Sequence, residues 1–130
     1  MSGDVPPVAC HLALMRVLTV AILLLASPAL SDPARIIGAE ATQAQGGWRI
    51  DVTLEHGDTG WDDYADGWRV ELPEGTLLGT RILAHPHVTE QPFTRSLSGV
   101  SVPEGTRIVH IRARTSQTGW GDETFPLPLN

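Results

Sequence analysis

Residues Trp48 to Glu55 alternate apolar and polar side chains without a break, reading Trp-Arg-Ile-Asp-Val-Thr-Leu-Glu, and no other feature limits the fold as tightly. Side chains on a strand point to opposite faces in turn, so this period of two describes a strand with one face buried and the other wet. On a helix the same residues would scatter round the axis. Trp68 to Leu72 repeats the pattern, and Thr76 to Ala84 continues it more weakly after the turn Pro73-Glu74-Gly75. Phe93 to Leu97 opens another strand, but Val100 and Val102 have the opposite parity, which puts a register-resetting bulge at Gly99. A second Pro-Glu-Gly-Thr turn follows at Pro103–Thr106. Beyond it Val109, Ile111 and Ala113 share one face, and His110, Arg112 and Arg114 the other. Phe125, Leu127 and Leu129 alternate with prolines that cannot donate to a ladder, so the last strand pairs on one side only. Ile36 to Ala41 makes a first strand.

No stretch holds a helical period with caps. About seven short strands with turn signals between them predict a single all-β domain, a β-sandwich of immunoglobulin or fibronectin type III character. Ile108 to Gly121, an alternating strand followed by a polar turn with Gly-Trp-Gly, resembles the last hairpin of fibronectin type III domains.

Upstream, Met15-Arg16 leads into the apolar run Val17–Ala26 and then Ser27-Pro28-Ala29-Leu30-Ser31. A basic residue, an apolar core and small residues at the peptidase positions are the parts of a cleavable signal peptide. Residues 1–31 are therefore expected to be removed, leaving residues 32–130 as the domain, with Met15 an alternative start. The run is about half of the ~20 residues a membrane-spanning helix needs, so no stable span is expected after cleavage. The destination is the periplasm or the exterior.

The single cysteine, Cys10, precedes the apolar run, so the exported domain has no disulfide, no thiol nucleophile and no cysteine placed to take a lipid. Eight arginines against fourteen carboxylates, 8 − 14 = −6, remain after removal of Asp4 and Arg16, with no lysine anywhere. An acidic surface repels phosphate backbones, which argues against nucleic acid as a partner. The absence of lysine also excludes Schiff-base chemistry and a P-loop. No serine is framed as Gly-x-Ser-x-Gly.

Strand parity places the remaining chemistry. If successive strands run in opposite directions, the two Pro-Glu-Gly-Thr turns share one end, while three longer loops, 56–67, 85–92 and 116–122, share the other. His85, His87 and, from a neighbouring loop, His56 could meet one copper or zinc ion, since residues two apart on extended backbone point the same way. The competing account is that Pro86 and the histidines only shape a turn. Asp58, Asp62, Asp63 and Asp66 form an acidic loop whose spacing does not match a calcium-binding EF-hand, and solvated carboxylates explain it more simply. A glycosidase pair would need a cleft that so small a domain rarely provides. Trp61, Tyr64 and Trp120 are loop aromatics that either plug the open end or offer a platform; Trp48 and Trp68, on alternating strands, are core.

The segments Trp61-Asp62-Asp63-Tyr64-Ala65-Asp66-Gly67-Trp68, Leu78-Gly79-Thr80-Arg81 and His85-Pro86-His87-Val88-Thr89-Glu90-Gln91-Pro92-Phe93-Thr94-Arg95-Ser96-Leu97 resemble a family of small exported bacterial proteins. The resemblance implies export and a domain of this kind, and supplies no catalytic residue. The expectation is thus a non-enzymatic binding module. It would engage a protein, peptide or glycan of the cell envelope through His56, Asp58, Trp61, Asp62, Asp63, Tyr64, Asp66, Glu90 and Trp120. The alternative is a metal-binding protein using His85, His87 and His56.

Overall fold

The computed structural model describes residues 32–130 and, upstream, Gly3 alone; the expected signal peptide lies outside the described residues. Among the described residues eight strands form in chain order: β1 (Arg35–Ala44), β2 (Gly47–Glu55), β3 (Ala65–Glu71), β4 (Leu77–Ile82), β5 (Phe93–Val100), β6 (Ile108–Thr115), β7 (Gly119–Trp120) and β8 (Phe125–Pro128). They make two antiparallel sheets, one ordered β1-β2-β5 and the other β4-β3-β6-β7, with β8 also on β6. The chain changes sheet between β2 and β3, β4 and β5, and β5 and β6. The result is the expected β-sandwich, with one strand more than the alternation revealed.

The period of two becomes the core. Ile50, Val52 and Leu54 of β2 are fully buried, facing Trp68 and Val70 of β3 and Val109 and Ile111 of β6, also fully buried. Phe93, Val100 and Leu127 complete the layer. Full burial of each such side chain contributes about 1.5–3 kcal/mol. Trp68 is core as expected, whereas Trp48, near the start of β2, is only half-buried.

The bulge at Gly99 is present. Trp48 pairs with Val100 and Ile50 with Leu97, so the register slips by one residue there, and Gly99 takes a φ of 69°. Close by, a Cβ on Gly47 would stand 2.9 Å from the Gly99 backbone carbon and the Val100 oxygen, so no larger residue fits where β1 turns into β2. β8 pairs only with β6, as its prolines require.

Candidate functional site

The pairs Leu54–Phe93 and Ala65–Thr115 set the ends of β2, β5, β3 and β6 side by side. The loops 56–64, 83–92 and 116–118 therefore emerge together. At the opposite end, the pair Glu71–His110 brings together the two Pro-Glu-Gly-Thr turns. Their backbone bonds run from Leu72 N to Thr76 O at 2.8 Å and from Thr106 N to Pro103 O at 3.1 Å. The first and third loops are shorter than their sequence limits, because β3 begins at Ala65 and β7 at Gly119, whereas the second is longer, because β4 ends at Ile82.

Asp58 ties this end together. Its side chain is fully buried. Oδ1 accepts from the His56 ring Nδ1 at 2.5 Å and from Ala65 N at 3.0 Å, while Oδ2 accepts from His87 N at 2.8 Å. One carboxylate thus fastens the loop after β2, the start of β3 and the loop after β4. Gln91 adds a second tie, accepting from His56 N at 3.0 Å and donating to His87 O at 3.0 Å. On the other side Ser116 N donates to Tyr64 O at 2.9 Å, and Gln117 donates to Asp62 O.

His56 and Asp58 were expected on a contact surface, and the structure corrects this: only 5% of each is exposed. A buried carboxylate needs donors on every side, and the loop folds around it to supply them. The His56 ring is committed at both nitrogens, to Asp58 and, at 2.9 Å, to the Asp32 carbonyl.

The rings of His85 and His87 do lie on one side, 4.7 Å apart. His87, however, is buried and stacked on Phe93 at 3.9 Å, and its Nε2 accepts from Arg95 Nη2 at 2.8 Å. Burial, then the charges of Arg95 and His85, hold the His87 ring below the usual histidine range, against the opposing pull of Glu90 and Asp58. The His56 ring is thus taken up, whereas His87 keeps a buried Nδ1 with no hydrogen-bond partner among the described residues. Among the described residues no three His, Cys, Asp or Glu side chains are grouped to hold a metal ion.

The exposed part of this end is aromatic and acidic. Trp61 is 67% exposed and meets Tyr64 edge-on, with ring centroids 5.6 Å apart. Asp62 and Glu90 are exposed, and Glu90 pairs with Arg95 at 3.3 Å. Asp63 is half-buried, 3.8 Å from the His56 ring. Asp66 reaches Arg114 at 3.3 Å.

Trp120 belongs elsewhere. It lies on β7 rather than in a loop, opposite Arg114, with the Arg69 guanidinium 4.2 Å from its ring centroid and that of Arg114 5.7 Å away. It neither plugs the open end nor joins Trp61. Sequence reasoning also missed the ion cluster beside it. Glu71 accepts from Arg112 at 2.8 and 3.2 Å and from Arg69 at 2.6 Å. Arg112, with Arg69 adding, holds the Glu71 carboxyl below the usual carboxylate range although burial pushes it up. The only available signal was an alternation of Arg69, Glu71, Arg112 and Arg114 on outward positions.

The chain is 46% identical over 85 residues to a protein of Halomicrobium mukohataei named "Putative lipoprotein". The match covers 64% of this chain and 41% of that relative, so this chain spans about two fifths of its length. No family model matches the chain, and no solved structure does.

Proposed function

We propose that the protein is exported to the cell envelope and works there as a binding module, with Trp61 at the centre of its contact surface. The observation that carries this is the contrast within one loop: Trp61 is 67% exposed, yet its loop is anchored by the buried Asp58 carboxylate. A large ring held out on a pinned loop gives contact area at small cost in conformational entropy, which is how aromatic anchors act in protein and peptide recognition. The neighbouring Asp62 and Glu90, in a domain of net charge −6, favour a partner with basic groups.

Export is supported by the run Val17–Ala26 with its small-residue exit and by the name of the relative. In this chain Cys10 precedes that run, so a released domain is favoured over a lipid-held one.

The test is co-sedimentation of the purified protein with the cell-envelope fraction of the producing cell. Trp61→Ala should weaken binding about tenfold or more, equal to about 1.4 kcal/mol, while Glu74→Ala and Glu104→Ala at the far end bind as the wild type does. Equal binding by Trp61→Ala and wild type would overturn the proposal.

A further inference from the structure

The last strand of the second sheet is broken, and the break opens the sandwich. Trp120 sits opposite Arg114 and Phe125 opposite Ile111, so Gly121, Asp122, Glu123 and Thr124 span the length that Arg112 and Ala113 cover on β6. The surplus backbone bows away from the sheet. Gly121 still reaches β6, its N donating to Ala113 O at 2.9 Å.

Between this bowed segment and the start of β1 lies a pocket of about 480 Å³, with Ile36, Ala113, Trp120 and Phe125 in its lining. That volume suits a small organic ligand, whose sites run from roughly 300 to 1,000 Å³. Ala113 leaves the room: it follows Val109 and Ile111 in the inward row of β6 and is much the smallest of the three. The opposite wall is fixed rather than loose, because Asp32, just before the wall residues Pro33 and Ala34, is held through its carbonyl by His56.

The charged residues in the lining are Asp122 and Glu123, with no arginine among them. Neither carboxylate forms an ion pair among the described residues. Arg112 feels the charge of Asp122, but its hydrogen bonds go to Glu71 and to Gly121 O. The pocket thus sets the apolar side chains of Ile36, Ala113 and Phe125 beside two carboxylates that form no ion pair among the described residues.

We infer that this pocket binds a small organic cation with an aromatic or branched apolar body. The body enters beside Ile36, Ala113 and Phe125, and the ammonium stays at the rim against Asp122 and Glu123. An anion of the same shape would meet the two carboxylates and be rejected.

The probes are 1-naphthylmethylamine, the neutral 1-naphthylmethanol and the anionic 1-naphthoate, titrated into isotope-labelled full-length exported protein while amide resonances are followed. The amine should give saturable shifts at Ala113 and at 121–124, with the anion at least about tenfold weaker. Ala113→Leu should abolish binding by filling the floor. The double variant Asp122→Asn/Glu123→Gln changes only exposed side chains, keeps the fold, and should lose about tenfold for the amine while binding the alcohol as the wild type does. Absence of saturable shifts with the amine, equal binding of the anion, or an unchanged amine affinity in the double variant would each overturn the inference. If Ala113→Leu fails to fold, the double variant decides.

Discussion

Asp58 shows how little a residue's type reveals before its neighbours are known. In the sequence it is one aspartate of an acidic loop; in the fold its carboxylate accepts from His56, Ala65 and His87, the last of these 29 positions along the chain. An unmet buried donor costs about 1–3 kcal/mol, and more where a charge is involved. Asp58→Asn turns one accepting oxygen into a donor facing a donor. It should therefore lose about 2–4 kcal/mol in a urea titration. Asp62→Asn, whose carboxylate is exposed and makes no hydrogen bond among the described residues, should stay within about 0.5 kcal/mol. Equal losses would remove Asp58 as the anchor. His87 adds a pH dependence of definite sign. Its ring titrates lower in the fold than in the unfolded chain, where the value is about 6.5. As pH falls through that range the unfolded chain takes up the proton first. Stability is then complete above about pH 6.5 and declines with acidification until the folded ring also titrates. Thermal melts at about pH 7.5 and 5.5 should show a larger drop for wild type than for His87→Gln, and identical drops would contradict the assignment.

At the scale of elements, legibility followed the length of the alternating pattern. β2 was plain because Ile50, Val52 and Leu54 all face the core while the residues between them do not. Val52→Asp should unfold the domain or cost several kcal/mol by burying an unpaired charge, whereas Thr53→Asp should change stability by about 1 kcal/mol or less. Thr53 lies outward, its hydroxyl 2.7 Å from that of Thr94. Similar denaturant midpoints for the two variants would mean that the faces were misassigned. β7 was invisible for the opposite reason. A strand of two residues, Gly119 and Trp120, has no period to read, and its place is set by pairing with Arg114 and Thr115 and by guanidinium groups from β3 and β6. The bow after it was equally hidden, because it exists only as a mismatch of register between two strands.

For the molecule as a whole, parity of strand direction was enough to sort the loops into two ends, since it needs only the order of elements and not their contacts. What it could not say was which loop residues would be spent on holding that end together. Trp61 stays exposed while His56, Asp58 and His87 go inward, because polar groups drawn between three loops must find partners there or destabilise them. The core residues among those described run from Ala34 to Leu129, and a segment of this length is enough chain for a stable domain. Asp32 is held through its carbonyl by His56, and β1 begins three residues later at Arg35. Cleavage between Ser31 and Asp32, expected from the small residues Ala29 and Ser31, would leave every strand described here in place. Protein recovered from the envelope or the medium should accordingly give an intact mass matching residues 32–130. Its urea midpoint should equal that of the same segment produced directly. A recovered mass that retains Met15–Ser31 would instead make the apolar run Val17–Ala26 an anchor and would overturn release of the domain.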